Sequence, residues 1–287
     1  MNILITGSNG QLGNEIKDRA SQFGNWNFIY KDLPELDITD YNKLEKLTSE
    51  LSIDTIINCA AYTAVDLAES NQEIAYKVNV EGAKNLAKLA KKFRLKLVHV
   101  STDFVFDGKH HLPYKETDMS NPLSVYGRTK LEGERLVLEE YPNSIILRTA
   151  WLYSSYGANF VKTMQRLGSE REELQVIFDQ VGTPTWAGDL ANTILKIISQ
   201  LEYGNANKGL YHYSNEGVAS WYDFAVEIMN LSNVNCKVLP IETEEYPTPA
   251  PRPSYSVLNK AKIKTDFNIE IPHWKISLKE CINQLAK

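Results

Sequence analysis

The stretch Ile3-Leu4-Ile5-Thr6-Gly7-Ser8-Asn9-Gly10-Gln11-Leu12-Gly13 decides the fold. Its apolar opening reads as a buried strand, and glycines at every third position follow at once. The first glycine, Gly7, permits a tight turn. The second, Gly10, lets backbone approach a pyrophosphate, and the third, Gly13, lets the next helix pack closely on the sheet. The positive end of that helix then faces the phosphates. Asn9, Gln11 and Leu12 share this loop and are expected beside a dinucleotide with the glycines. Its place after a strand, ahead of a helical pattern and near the start of the chain, separates this match from a chance glycine cluster.

Outward from this loop, short β-rich runs alternate with longer helical patterns. Strands are expected at 2–6, 27–30, 55–58, 97–101 and 145–148, with helices near 11–22, 40–51, 68–93 and 124–140. Such alternation predicts right-handed βαβ units and an α/β fold with a Rossmann-type doubly wound parallel sheet. Beyond about residue 150 the rhythm changes. A helix near 159–168, a strand at 174–178, a helix near 186–201, a run at 209–214, a helix from Ser220 and a terminal helix near 277–286 are expected. Tyr246-Pro247-Thr248-Pro249-Ala250-Pro251-Arg252-Pro253 must be a loop, because proline fixes φ and donates no backbone hydrogen bond. The expected organisation is a dinucleotide-binding domain over 1–150. Residues 151–287 form mainly a smaller α/β substrate-binding region, with a soft boundary that strands can recross.

Composition narrows the class. Hydrophobic residues at 43% and charged residues at 23% describe a soluble globular chain of 287 residues. The 31 Lys and Arg are interspersed with 36 Asp and Glu, which argues against nucleic acid or an anionic membrane as partner. No apolar run approaches the roughly 20 residues that span a bilayer. The first strand has no basic leader, so it is not read as a signal peptide. Cys59, Cys236 and Cys281 are sparse and odd in number, which suits a reducing cytoplasm and neither a disulfide framework nor zinc.

Asp32 lies 32 − 13 = 19 positions past Gly13, close to the spacing of about 20 for a ribose-binding acid. An acid there favours NADH, whereas neighbouring Lys31 suits the extra phosphate of NADPH, and both cofactors remain open. Asp37 and Ile38 are placed beside the adenine. The third strand ends Asn58-Cys59-Ala60-Ala61-Tyr62-Thr63, and small residues at that end leave room for a ligand. Ala60, Ala61 and Tyr62 are therefore assigned to the cofactor. Asn79 is counted with them as a brace for the catalytic strand, its other reading being a polar residue on a solvated face.

The fourth strand ends Ser101-Thr102, and about two dozen residues later come Tyr126 and Lys130. At i and i+4 they share one helix face. Free tyrosine has a pKa of about 10, and a nearby ammonium is expected to lower it. The same ammonium can bond the nicotinamide ribose. Tyr126 is then a general acid toward a carbonyl oxygen, Thr102 hydrogen-bonds that oxygen, and a nicotinamide supplies hydride.

Longer stretches carry a more specific likeness. They are 58–69, 101–108 (Ser-Thr-Asp-Phe-Val-Phe-Asp-Gly), 122–134, 148–153, 179–185, the 246–253 loop and Leu258-Asn259. Over nearly the whole chain these resemble the extended short-chain dehydrogenase/reductases, and within them the branch that acts on dTDP-linked 4-keto sugars. The resemblance implies NAD(P)H-dependent reduction of the C4 keto group of dTDP-4-dehydro-L-rhamnose to dTDP-L-rhamnose. It carries the acid role to Tyr126, the supporting role to Lys130 and the hydroxyl to Thr102. Tyr62 stands where members often have histidine, and Phe104 where tyrosine is usual.

Substrate contacts are expected from Thr63, Val65, Asp103 and Phe104 around the sugar, and from Trp151 by stacking, core packing being its alternative. Gln180 is placed toward the nucleotide. Arg252 can bind diphosphate bidentately or be a rim arginine paired with an acid. His110-His111 lacks a spaced third ligand, so no metal site is read. Some members of the resembled family are associated with Mg2+, which is kept as an accessory ion although the sequence offers no octahedral set. A homodimer is expected on the resemblance alone. Dehydratases of this fold place an Asp-Glu pair after the threonine, whereas here Phe104 follows Asp103. Another nucleotide-sugar reductase, an epimerase, or a silent dinucleotide-binding regulatory subunit like that of methionine adenosyltransferase are the alternatives. Intact Thr102, Tyr126 and Lys130 favour turnover.

Overall fold

The computed structural model describes residues 1–286. Ile3, Leu4 and Ile5 are fully buried in β1 (Asn2–Thr6), as a strand covered on both faces requires. β2 (Asn27–Lys31), β3 (Thr55–Asn58), β4 (Lys96–Thr102) and β5 (Ile145–Thr149) follow. Between them run α1 (Gln11–Arg19), α2 (Tyr41–Leu51), α3 (Val65–Ser70), α4 (Gln72–Tyr76), α5 (Ala83–Phe93) and α6 (Val125–Glu140). Past β5 come β6 (Leu152–Tyr153), α7 (Phe160–Glu170), β7 (Glu173–Ile177), β8 (Val181–Gly182), β9 (Thr185–Trp186), α8 (Ala187–Glu202) and β10 (Gly209–His212). The main sheet has the order β10-β5-β4-β3-β1-β2, and every pair in it is parallel. The chain runs outward from β1 to β2 and then crosses back to β3. A doubly wound sheet opens its ligand crevice at such a reversal, at the carboxyl ends of the strands.

One sheet face buries Ile3, Ile5, Val98 and Leu147 under Leu190, Ile194 and Ile198 of α8. The other buries Leu4, Ile56, Leu97 and Ile146 under Leu86, Leu89 and Ala90 of α5. A strand and a covering helix from beyond residue 150 thus complete the first body. The second body is built by α7 and β7 with β11 (Ala219–Ser220), α9 (Trp221–Ser232), β12 (Lys237–Ile241) and α11 (Trp274–Leu285), while α10 (Ala261–Phe267) returns to the first, where Ile263 and Phe267 join its core. Its core holds Met164, Leu174, Phe224, Ile228, Trp274 and Leu278. β7 and β12 pair in parallel there.

The single helix expected over 68–93 is instead α3, α4 and α5, with a wider π-type turn over Lys77–Gly82. That turn holds Asn79, whose side chain bonds the Tyr62 backbone. Gly82 sits against Ile38, where a Cβ would stand 2.7 Å from its side chain. Tertiary contacts of this kind override helical periodicity. No helix among the described residues is long and apolar enough to cross a membrane.

Candidate active site

A cavity of about 720 Å³ opens at the carboxyl ends of β1, β3 and β4. Gly7, Gly10, Gln11 and Leu12 line one end of it. Gly7 has φ +63°, and a Cβ there would lie 2.6 Å from the Ala60 backbone. The turn therefore admits no side chain. Gly13 stands behind the wall, where a Cβ would meet Ser8 at 2.5 Å, so its role is helix packing. α1 begins after Gly10 with no side-chain cap, leaving its first N–H groups to an anion. Asp32 lines the same end, accepting from the backbone N–H groups of Asn9 and Leu33 at 2.8 Å each. Asn9 acts from behind through that bond. Lys31 is paired with Glu35 at 2.7 Å. Asp37 and Ile38 complete this end, and Ala60, Ala61, Tyr62, Thr63 and Val65 line the cavity from the β3 side.

Asn79 does not line the cavity. Its amide accepts from Tyr62 N at 2.8 Å and donates to Tyr62 O and Thr129 Oγ1 at 3.1 Å each. It braces the end of β3 against α6, and its place among direct cofactor contacts is corrected to that of a positioning residue. Spacing had put it on the correct helix without showing which way its amide turned.

The cavity fits a dinucleotide. Gly7 makes a cradle that any Cβ would fill, and the α1 terminus is uncapped. Gln11 Oε1, Ser101 Oγ and Thr149 Oγ1 are buried at its wall with no hydrogen-bond partner within the protein. Buried polar atoms in that condition call for a partner. Gly7→Ala should lower affinity for a reduced nicotinamide dinucleotide by about tenfold or more, given the 1–3 kcal/mol typical of such backbone strain. Fluorescence titration measures it, and parental affinity would refute the close-approach account.

At the other end, Ser124 Oγ accepts from Gly127 N at 3.1 Å and starts α6. This puts Tyr126 and Lys130 on its first turns. Lys130 is 2% exposed, and its ammonium donates to Val100 O at 2.7 Å. Burial lowers its pKa to about 8, against the opposing pull of Glu134. Burial pushes the Tyr126 phenol up to about 12; a Thr102 hydrogen bond opposes this and Asp103 adds to it. The expected lowering of Tyr126 by Lys130 is therefore not found in the ligand-free protein. The ammonium turns to a backbone carbonyl, and the phenol keeps its proton at neutral pH. The Phe104 ring meets Tyr126 edge-on at 5.6 Å and 72°. Thr102 Oγ1 lies 3.1 Å from Asp103 Oδ1 and accepts from Phe104 N at 3.2 Å.

Phe104 and Trp151 also line a second cavity of about 770 Å³ and so divide it from the first. Trp151 has φ +47°, a left-handed conformation that strains a bulky residue. It is held by flat stacking on Trp221 at 3.5 Å, with Gly182 leaving room for the indole. It is thus a packed residue and a cavity wall at once. Gln180 is buried at the second cavity and donates to Thr243 Oγ1 at 3.1 Å. Arg252 lines that cavity and grips Asp66 through both terminal nitrogens at 2.5 and 2.7 Å. The guanidinium holds the Asp66 carboxyl below its ordinary range. Arg252 is therefore a paired arginine, with Nε and one further N–H uncommitted.

Cys59, at the small-residue end of β3, also lines the first cavity, as do Leu152 and Ala158, for which local sequence gave no signal. Among the described residues no group of three His, Cys, Asp or Glu side chains is placed to hold a metal. His110 Nδ1 instead lies 2.8 Å from Leu112 O.

Known proteins are similar to this chain in sequence and fold. The family model described as the RmlD substrate binding domain matches residues 1–287. A dTDP-4-dehydrorhamnose reductase of Aggregatibacter actinomycetemcomitans is 44% identical over 285 residues, covering 96% of this chain and 97% of its own. The crystal structure of a dTDP-4-dehydrorhamnose reductase from Clostridium acetobutylicum superposes with a TM-score of 0.95 at 47% identity, covering 100% of both chains. That of a Bacillus anthracis dTDP-4-dehydrorhamnose reductase in complex with NADP superposes with a TM-score of 0.93 at 38% identity, covering 99% of both.

Proposed function

The chain belongs to the RmlD substrate binding domain family, and from that premise we propose that it reduces the C4 keto group of dTDP-4-dehydro-L-rhamnose, giving dTDP-L-rhamnose. It is a nicotinamide-dependent reductase, and the NADP complex of its relative supports NADPH or NADH as the cofactor. The observation that carries the assignment is the convergence of Thr102, Tyr126 and Lys130 on the cavity that also holds the Gly7 turn.

The bound cofactor supplies the hydride to C4. Everything else falls to this chain. Gly7, Gly10, Gln11 and the α1 terminus hold the pyrophosphate, and Asp32, Asp37 and Ile38 border the adenosine. Tyr126 gives its proton to the C4 oxygen, and burial keeps that proton in place until it is needed. Thr102 hydrogen-bonds the phenol beside that oxygen, and Lys130 is a buried cation on the same cavity wall, held at Val100 O. Thr63, Val65 and Phe104 border the sugar. The second cavity takes the nucleotide, with Trp151 and Gln180 on its wall and the uncommitted N–H groups of Arg252 toward the diphosphate. A cytoplasmic location is the reading that the biosynthetic relatives support. The homodimer that the resemblance implies is checked by sedimentation.

The test mixes the protein with dTDP-4-dehydro-6-deoxy-glucose, its 3,5-epimerase and either NADPH or NADH, and follows absorbance of the reduced nicotinamide. Oxidation that requires the epimerase is expected, and the two rates give the cofactor preference. Cofactor binding without oxidation would instead indicate a silent dinucleotide-binding subunit.

A further inference from the structure

Asp103, expected from the sequence beside the sugar, is an ionisable group at the reactive end to which the mechanism above gives no part in proton transfer. It lines the first cavity, is 2% exposed and follows Thr102 at the end of β4. Its Oδ1 lies 3.1 Å from Thr102 Oγ1, while Oδ2 is buried with no hydrogen-bond partner. The Ser256 hydroxyl faces this carboxyl without closing a hydrogen bond of ordinary geometry. Tyr126 is the titratable group facing it from α6, and no lysine or arginine among the described residues acts on its charge. An ionised carboxylate buried without a cation is costly. Burial pushes Asp103 up to about 6, against the pull of Ser256, Thr102 and the backbone N–H groups of Asp103 and Phe104, so the neutral acid is the main form only below that pH.

Counting hydrogens shows what that proton does. A threonine hydroxyl has one hydrogen and two lone pairs. Phe104 N takes one lone pair of Thr102. When Asp103 is ionised it can only accept, so the Thr102 hydrogen points to Oδ1. The remaining lone pair of Thr102 then draws the Tyr126 hydrogen, which turns from the cavity. When Asp103 is neutral it donates to that lone pair, and the Thr102 hydrogen is released toward the phenol.

We propose that Asp103 is a positioning residue whose proton sets the direction of the Thr102 hydroxyl. As a neutral acid it donates to Thr102, Thr102 donates to Tyr126, and the Tyr126 hydrogen is left for the substrate oxygen. The proposal rests on the reductase assignment above for its catalytic meaning. Asp103 itself loses no proton in turnover.

The test is kcat/KM for the keto sugar against pH at saturating cofactor, since this ratio reports the free enzyme. For the parent it should fall by about tenfold between about pH 5.5 and 7.5, ahead of a later loss as Lys130 deprotonates near 8. Asp103→Asn keeps a donor toward Thr102 at every pH, so its decline over that window should shrink to about threefold or less. Thr102→Val, which lacks the hydroxyl, should flatten the same limb of whatever activity remains. Parallel declines in parent and Asp103→Asn, or no decline in the parent, would overturn the proposal. A readout without substrate stands beside these. Carbon-13 titration of the Asp103 carboxyl in the ligand-free protein should give a midpoint near 6. A midpoint in the ordinary range of about 4 would also overturn it. Failure to reduce the keto sugar at any pH would count against the reductase assignment, and the carboxyl titration would still decide the proton on Asp103.

Discussion

Replacing Tyr126 with phenylalanine should lower kcat by about 10²–10⁴-fold, the usual worth of a positioned general acid. Dinucleotide affinity should change little. The ring that meets Phe104 edge-on at 5.6 Å is retained, so the wall keeps its shape and only the hydroxyl is lost. Cofactor contacts at the Gly7 turn and at Asp32 lie at the other end of the cavity. Steady-state turnover of the keto sugar, paired with a cofactor titration, separates the two effects. A variant with parental kcat would sink the proton-donor role. A variant that loses cofactor binding as well would show that the phenol holds the site together.

Arg148→Ala should be the most damaging change to stability, costing about 3–5 kcal/mol. Arg148 on β5 is 3% exposed and bonds Glu134 of α6 through Nε at 2.9 Å and Nη2 at 2.7 Å. It also donates to Ser120 Oγ at 3.2 Å and lies 5.1 Å over the Phe106 ring. Without it, Glu134 is a buried carboxylate with no partner, one helical turn from Lys130. The double change Arg148→Met with Glu134→Leu removes both charges and should recover most of the loss, because a buried pair contributes less than its breaking costs. Urea unfolding of the parent and both variants provides the comparison. A loss under about 1 kcal/mol in Arg148→Ala would mean that water reaches the pair.

The opening strand, its glycine turn and the Tyr126/Lys130 face were legible because each is local. Strand, turn and helix follow one another within a dozen residues, and i, i+4 spacing defines a helix face without any tertiary knowledge. Spacing places Cβ atoms and says nothing about where a long side chain ends. That is why the ammonium of Lys130 was expected at Tyr126 and is found at Val100 O. The paired state of Arg252 was open for a like reason, since Asp66 lies far from it in the chain. Leu152 and Ala158 reach the cavity from beyond β5, and no local pattern announces such an approach. β6, β8, β9 and β11 have two residues each, too few for periodicity to register. β12 carries Pro240, which reads against a strand and is tolerated at the edge of a two-stranded pair.

The late arrival of α8 and β10 has a consequence during synthesis. When a ribosome has released β5, the sheet face bearing Ile3, Ile5, Val98 and Leu147 is covered only by Leu12 and Ile16 of α1, because Ala187–Glu202 is still untranslated. The backbone edge of β5 is bare as well until Gly209–His212 follows. At about 5–20 residues per second the nascent chain carries this adhesive surface for seconds. Open strand edges and exposed apolar faces are what neighbouring chains pair with. A chain ending between β5 and α8 is therefore expected to aggregate and to lean on chaperones, in place of standing as a free domain.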